Sequence, residues 1–358
     1  MAAQLDFYSY DETTKISTAL NGTYSLGDIF KGASGIGALR IYNSGTKMAV
    51  NPIVSFEAYN NNTSILDWKG LSFSKDYDYD KTLSLENIAP GEFAVGKNIY
   101  VEDFDTYDYQ SAQPIASDDW VTWHNSASID PWYAYSKSLY FYGVDSRFSN
   151  LPENTDTTAI LTPSENILGK AKDFTISATM SCLKNSFIGW IFRDNYIVTI
   201  SGIREDFKDT IYQLGHQYAL QIWYGDPKKD KAWWTPLEDF DLGNSVNGTK
   251  ITLSLEDKDG IPVFKIWLDT TDTTKDPSFV YVLEEDKRKS CYSAAESIPE
   301  IIGYEPISAN MSNMVIDNIK MITKNDLGII YLRSQIPSDT KLSGTQYFLL
   351  DINYGSED

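Results

Sequence analysis

Apolar residues in this chain recur at every second position over short stretches, and this alternation constrains the fold more than any other feature. Segments rich in Val, Ile, Thr, Tyr, Phe and Trp are separated by turn residues about every 8–12 positions, which is typical of strands. We find no sustained helical periodicity along the 358 residues. A chain of this length has room for about one to three domains with a substantial core. The pattern therefore predicts an all-β protein.

Residues 1–115 are predicted to form the first antiparallel sandwich. Ala38–Tyr42 (ALRIY) ends at an Asn-Ser-Gly turn, and Pro52–Tyr59 (PIVSFEAY) alternates as its partner strand would. Residues 82–101 are predicted to be two strands joined at Pro90-Gly91, because proline presets the backbone of a turn and glycine completes it. This strand–Pro-Gly-Glu–strand stretch resembles a corner of the immunoglobulin-like β-sandwich domains of bacterial surface and phage structural proteins. The resemblance implies an immunoglobulin-like fold for the first domain.

Residues 116–330 are predicted to form a second, larger sandwich, and the acidic, unpatterned stretch at 102–118 marks the linker. Strand-like runs include DFTISATM, IGWIFRDN, YALQIWY and MVIDNIKMI, and KITLSLEDKDGIPVFKIWLD is predicted to be a hairpin that turns at Lys258-Asp259-Gly260. Their order resembles the concanavalin A-like lectin/glucanase jelly roll, which also occurs in laminin-G-like modules. The predicted fold class is therefore all-β, with two tandem antiparallel β-sandwiches, the first immunoglobulin-like and the second a concanavalin-like jelly roll.

Residues 331–358 are predicted to be a C-terminal extension. Two apolar runs, 328–332 (GIIYL) and 346–352 (QYFLLDI), are separated by a polar loop. Such runs can add edge strands to a sandwich or pair with another subunit. Both interpretations stay open from the sequence, with edge pairing inside the chain slightly favoured.

Charge and residue usage exclude several classes of function. Thirty basic against 50 acidic residues give a net charge of −20, which opposes direct binding to nucleic acid. No apolar stretch of about 18 residues occurs, so no membrane insertion is expected, and the first 15 residues do not predict a secretory signal. His124 and His216 stand far apart, which argues against zinc sites and histidine-based triads. Cys182 and Cys291 are predicted to be buried free thiols.

Glycoside hydrolysis is the enzymatic reaction that the lectin/glucanase resemblance implies, and the sequence lacks its usual motif. Two carboxylates must face each other across a cleft, and in glucanases of this fold both usually lie on one strand in a Glu-x-Asp-x-Glu pattern. The nearest candidates, residues 238–241 (EDFD) and 284–286 (EED), do not fit that pattern. We therefore expect no catalytic residues and predict that the chain is not an enzyme.

A tryptophan-rich segment supplies the candidate contact residues. They share one loop and its flanks and are Trp223, Tyr224, Asp226, Trp233 and Trp234. Trp233 and Trp234 cannot both face the core of a strand, because neighbouring side chains alternate. Aromatic rings with nearby carboxylates suit the apolar face and the hydroxyls of a sugar. Packing in the core and loop is the first interpretation, a protein contact the second and a glycan platform the third.

Calcium is the one metal to look for, and otherwise no cofactor is predicted. Asp76, Asp78 and Asp80 alternate with tyrosines in KDYDYDK. The series lacks the glycine and the late glutamate of an EF-hand loop. A strand with its acidic face in water is the favoured interpretation.

After these exclusions, the sequence describes an acidic, all-β chain that is poor in catalytic groups. It resembles a structural protein of a tailed bacteriophage particle, which implies a place in the tail, baseplate, neck or capsid decoration. The implied partners are other virion proteins and copies of itself, with surface glycans as a further candidate; the implied location is the virion after synthesis in the host cytoplasm. Two alternatives stay open: a carbohydrate-binding module for host-surface adhesion, and a glycoside hydrolase of the glucanase fold, which the missing motif disfavours.

Overall fold

A computed structural model of the chain describes residues 2–11, 13–20, 22, 24–26, 29–30, 33–58, 71–73, 82–104, 113–115, 120–125, 131–135, 137–142, 157–163, 170–182, 186–202, 218–229, 233–243, 246, 248–305, 313–325, 328–336 and 347–357. Most of the described residues lie in strands and very few in helix, so the predicted all-β class is confirmed.

By its contacts the chain divides into two compact units, Met1–Val101 with Ile322–Asp358, and Glu102–Met321. The predicted segments 1–115, 116–330 and 331–358 differ from this division mainly in the tail. The tail belongs to the first unit because its two strands pair with strands near the N-terminus, as described below.

The strands of the first unit form two sheets. They are β1 (Leu5–Asp11), β2 (Ile16–Ala19), β3 (Ser34–Asn43), β4 (Ala49–Ala58), β5 (Leu71–Ser72), β6 (Thr82–Ser84), β7 (Gly96–Glu102), β23 (Ile330–Gln335) and β24 (Phe348–Ser356). One sheet has the order β2-β1-β3-β23-β7, with β5 paired to β23, and the other has the order β24-β4-β6. The C-terminal runs thus add one strand inside a sheet and one at an edge.

Side chains from both sheets enclose the core of the first unit. Strand β4 shows why: Val54 and Phe56 are buried, whereas Ile53 and Glu57 on either side of them are exposed. Burial of each such apolar side chain stabilises the fold by about 1.5–3 kcal/mol. The same core contains residues of the other strands, including Leu39, Ile41, Leu83, Ile330 and Leu332.

The second unit also contains two sheets. Its strands are β8 (Gln113–Pro114), β9 (Trp120–His124), β10 (Trp132–Tyr135), β11 (Ser138–Tyr142), β12 (Thr157–Pro163), β13 (Phe174–Ser181), β14 (Phe187–Phe192), β15 (Tyr196–Gly202), β16 (Tyr218–Tyr224), β17 (Thr235–Gly243), β18 (Thr249–Lys258), β19 (Ile261–Leu268), β20 (Phe279–Val282), β21 (Glu300–Glu305) and β22 (Asn313–Asn325). One sheet runs β22-β13-β18-β19-β20, with β11, β10 and β8 continuing from β22; the other, seven-stranded, runs β17-β16-β15-β14-β21-β12-β9.

The two sheets of the second unit stack face to face. The Phe174 and Phe192 rings, one from each sheet, have centroids 5.6 Å apart, and those of Tyr196 and Phe264 are 5.3 Å apart. The hairpin predicted at Lys258-Asp259-Gly260 is confirmed, since Lys258 pairs with Ile261. Asp259 and Gly260 have φ of 54° and 76°, as a two-residue type I′ turn requires.

A buried arginine ties strand ends of the second unit together. Arg193, fully buried in the turn between β14 and β15, donates from Nε to the Lys172 carbonyl at 2.9 Å and from Nη1 to Asp257 Oδ1 at 2.8 Å. It also reaches the Ser293 carbonyl at 3.2 Å and Asp173 Oδ1 at 3.3 Å. Burial acts to raise the pKa of Asp257, but hydrogen bonds from Lys172 and Arg193 hold that pKa below its ordinary value. The cluster therefore keeps its charges compensated.

The described part of the chain contains one short α-helix, α1 (Arg288–Cys291). None of its helices is long and apolar enough to cross a membrane. Cys182 and Cys291 are both buried free thiols, as predicted.

Candidate functional site

The seven-stranded sheet of the second unit carries aromatic side chains on the face that points away from the other sheet. Gly303 of β21 faces inward, because a Cβ placed there would lie 2.4 Å from Phe141 of the other sheet. Its neighbours Ile302 and Tyr304 therefore point outward, since side chains alternate along a strand. We call this outward surface the aromatic face; its residues are Trp123, Ile160, Phe187, Ile191, Ile197, Trp223, Trp234, Ile302 and Tyr304.

Ring contacts hold the aromatic face together. Phe187 stacks on Tyr304 with centroids 4.6 Å apart and planes 5° apart. Trp234 meets Phe187 edge-on at 5.7 Å and Trp223 at 6.4 Å. Phe187 belongs to β14, Trp223 to β16 and Tyr304 to β21, and Trp234 is the residue before β17. Trp234 therefore packs against side chains from more than one strand.

A row of polar side chains crosses the same face; all are buried except Asp239, which is exposed. Thr199 pairs with Gln221, and Gln221 pairs with Asp239, so the three lie side by side on neighbouring strands. Gln221 Nε2 donates to Asp239 Oδ1 at 3.0 Å, and the Thr199 and Ser201 hydroxyls are 3.1 Å apart. Buried polar groups are stable when they are hydrogen-bonded in this way. The face therefore combines rings with donors and acceptors.

The two adjacent tryptophans take opposite environments, as predicted, although both precede β17 and lie outside any strand. Trp234 is 5% exposed and its Nε1 donates to the Asp226 carbonyl at 2.9 Å, whereas Trp233 is 76% exposed. The buried position of Trp234 requires glycine at position 225, because a Cβ there would lie 2.8 Å from the Trp234 ring. Trp234 anchors the segment, and Trp233 is presented to solvent.

The other predicted contact residues divide between two surfaces. Trp223 is half-buried on the aromatic face, and Asp226 is exposed beside the anchor. Tyr224 does not join them, because it follows Trp223 in β16 and so points to the opposite side, where its ring lies 5.2 Å from Tyr196. Burial raises the pKa of the Tyr224 hydroxyl.

Sequence reasoning missed a polar cluster at one end of this face. Glu300, half-buried at the start of β21, accepts a hydrogen bond from the Thr162 hydroxyl at 2.6 Å. Lys228 Nζ lies 5.7 Å from the centre of the Trp123 ring, within range of a cation–π attraction. Glu300 occupies the same alternating series as Ile302 and Tyr304, which is the signal that could have placed it on this face.

Burial raises the pKa of the Glu300 carboxyl above its ordinary value. The hydrogen bond from Thr162 and the charge of Lys228 oppose the rise, and Asp194 adds to it. Carboxyls with perturbed pKa values cluster at functional sites. The raised pKa of Glu300 also makes the stability of the protein depend on pH, which can be measured.

Replacing Glu300 with glutamine is expected to increase stability relative to the wild type as the pH rises. A carboxyl whose pKa is raised by folding binds its proton more tightly in the folded state, so its contribution is complete below the unfolded pKa. That contribution is lost as the pH rises through the folded pKa. Urea unfolding of both proteins from pH ~4 to ~8 measures the difference.

The exposed Glu296 provides the matched control, because Glu296→Gln makes the same chemical change outside the aromatic face. A stability difference for Glu300→Gln that stays constant or shrinks with rising pH would contradict the predicted desolvation of this carboxyl.

The predicted calcium ligands Asp76, Asp78 and Asp80 lie outside the described residues. Among the residues that are described, no group of three or more His, Cys, Asp or Glu side chains could hold a metal ion.

No family model and no curated protein matches the sequence. Similar solved structures include a β-1,3-glucanase from Mycobacterium marinum, at 9% identity and a TM-score of 0.40, over 62% of this chain and 97% of that one. The laminarinase catalytic domain from Thermotoga petrophila RKU-1 is 11% identical with a TM-score of 0.36, over 63% of this chain and 97% of that one. The VIP36 exoplasmic/lumenal domain, in a Ca2+/Man3GlcNAc-bound form, is 8% identical with a TM-score of 0.33, over 57% and 85%.

These neighbours correct one prediction from the sequence. The prediction that the chain is not an enzyme is wrong as it stands, because glucanases, which are enzymes, are among the structural neighbours. At identities of 9–11% they bear on the fold alone and assign no activity to this chain.

Proposed function

We propose that the chain binds carbohydrate at the rim of the aromatic face. The observation that carries this proposal is the pairing of an anchored Trp234 with the neighbouring Trp233, 76% of which is exposed to solvent. An exposed indole ring offers an apolar surface that matches the C–H face of a pyranose. Large aromatic side chains are costly to leave in water, so their exposure suits a surface that a ligand covers.

The groups around Trp233 suit the polar part of a sugar. Asp226, exposed in the same loop, uses Oδ1 to accept from the Lys228 backbone at 3.0 Å and Oδ2 to contact Lys229 at 3.8 Å. Its carboxylate has further lone pairs that can accept hydrogen bonds from sugar hydroxyls. The hydrogen bond from Trp234 to the Asp226 carbonyl holds these residues in place before a ligand arrives, which lowers the entropy cost of binding.

Replacing Trp233 with alanine is expected to weaken binding by about two- to tenfold, because stacking on one ring contributes about 0.5–1.5 kcal/mol. A glycan array would identify the ligand, and titration calorimetry with that ligand would give the affinity of each variant. Phe30→Ala is the matched control, since Phe30 is 80% exposed and belongs to the other unit. Equal affinity of Trp233→Ala and wild type would refute the proposed platform.

A second role is compatible with the first: a structural protein of a tailed bacteriophage particle, with an immunoglobulin-like first unit. Exposed apolar side chains on edge strands favour it. Val280 and Val282 of β20 are 48% and 46% exposed, and Leu349 of β24 is 44% exposed. Edge strands are where chains add to one another. Detection of the chain in purified, nuclease-treated particles by mass spectrometry supports this role, and its absence from them contradicts it.

A further inference from the structure

The first unit has an aromatic surface that neither proposed role has used. Tyr8 of β1 pairs with Arg40 of β3. Leu39 and Ile41, the neighbours of Arg40 along β3, face the core, so Arg40 and Tyr8 point to the opposite side of the sheet. The Tyr8 ring lies 5.9 Å from Tyr42 and 5.6 Å from Phe93, and the Tyr42 and Phe93 rings are 4.9 Å apart. We call this surface, formed by Tyr8, Arg40, Tyr42 and Phe93, the tyrosine face.

Arg40 lies on the tyrosine face without a counter-ion. Its Cζ is 3.6 Å from the centre of the Phe93 ring, and Nη1 donates to the Ser17 hydroxyl at 3.0 Å. Within the described part of the chain the guanidinium makes no ion pair, and its enclosed Nε has no acceptor. Burial lowers the pKa of the guanidinium, although an arginine remains charged throughout the physiological range.

An arginine in this state is suited to receive a carboxylate. The guanidinium fork matches a carboxylate in a bidentate geometry, and stacking on a ring holds it in position beforehand. Tyrosine, phenylalanine and arginine are also the residue types that are enriched where proteins contact each other. Ile36, which alternates with Arg40 on β3 and is 48% exposed, adds an apolar margin.

We propose that the tyrosine face is an interface that docks a carboxylate of a second copy of this chain. The argument for this occupant is charge complementarity. Every copy has 50 acidic and 30 basic residues, so the surface that a second copy offers is rich in carboxylates, while Arg40 lacks one. The interface lies in the first unit and does not depend on the proposed carbohydrate site in the second.

Repulsion between two acidic chains does not prevent such a contact. At ~0.15 M salt the Debye length is about 8 Å, so charges spread over the two surfaces are largely screened. A partly buried arginine–carboxylate pair in direct contact is screened much less. Association is therefore expected at physiological salt.

Sedimentation velocity of the full chain from ~1 to ~100 µM tests the proposal, with the chain itself as the probe. The wild type is expected to associate as its concentration rises. Arg40→Glu should weaken that association by about thirtyfold or more, because a buried charge pair that loses one partner costs at least about 2 kcal/mol. Arg40→Lys, which keeps the charge but loses the planar fork, should be intermediate.

Lys258→Glu is the control, because Lys258 is exposed in the β18–β19 turn of the other unit and undergoes the same charge reversal. It should associate like the wild type, and thermal unfolding of each variant checks that its fold is retained. A wild type that stays monomeric over the whole range would overturn the proposed occupant. Association that Arg40→Glu leaves unchanged would overturn the proposed surface.

Discussion

Replacing Arg193 with methionine is expected to destabilise the second unit by about 3–5 kcal/mol, the cost of breaking ion pairs made by a fully buried arginine. Arg193 is fully buried, and Asp257 and Asp173 both accept from its guanidinium. Methionine has a similar unbranched shape, so the cost of the positive φ of 48° at this position is nearly the same in both proteins. The loss therefore reports on the charge cluster rather than on the turn.

Urea unfolding followed by tryptophan fluorescence gives the free energy of unfolding for each variant. Lys265→Met is the matched control, because the Lys265–Glu256 ion pair is about one-third exposed on each side and such pairs contribute about 0–1 kcal/mol. Arg193→Lys keeps the positive charge, so its loss of unfolding free energy should lie between those of Arg193→Met and Lys265→Met. It also provides a measurement if Arg193→Met does not fold. Equal losses for Arg193→Met and Lys265→Met would contradict the assigned role of the cluster.

Replacing Gly303 with alanine is expected to destabilise the same unit by about 1–3 kcal/mol, through overpacking between its two sheets. The new Cβ would lie 2.4 Å from Cδ2 of Phe141 and 2.7 Å from two further ring atoms. Phe141 is fully buried, and its ring meets Trp132 edge-on at 5.0 Å, so it has little room to move. The close approach of these two sheets therefore depends on the missing side chain.

A double mutant separates overpacking from other effects of the change. Phe141→Leu alone should destabilise the unit, but combined with Gly303→Ala it should cost less than the sum of the two single changes, because the smaller side chain relieves the clash. Gly355→Ala is the control, since a Cβ there would meet only Val50, at 3.6 Å. Strict additivity of the two changes in urea unfolding would show that the clash is not the cause.

Features that depend on neighbouring residues could be predicted from the sequence. The Asp259-Gly260 turn follows from two adjacent residues that tolerate positive φ, and the all-β class follows from alternation within single strands. In each case the determining interactions span only a few positions of the chain.

Features that depend on distant pairing could not be predicted in this way. The Thr162–Glu300 hydrogen bond joins residues 138 positions apart, and nothing near Glu300 in the sequence indicates that β12 lies beside β21. Asp257 meets Arg193 across 64 positions for the same reason. Pairing of the tail inside the chain was favoured from the sequence, but its partners β3 and β4 were not predicted, because its apolar runs are compatible with any free edge. Alternation shows which side chains share a face, but the order of strands in the sheet decides which residues become neighbours.

The place of β23 in the first sheet has a consequence for how the protein is made. Gln335 of β23 pairs with Ser34 of β3, so β3 emerges from the ribosome about 300 residues before its partner. At about 5–20 residues per second, that interval is roughly 15–60 s. The Glu102–Met321 unit is complete in sequence before β23 exists, so it can fold while the ribosome is still working. Strand β3 can pair with β1 early, but its opposite edge has no partner strand until translation has nearly finished.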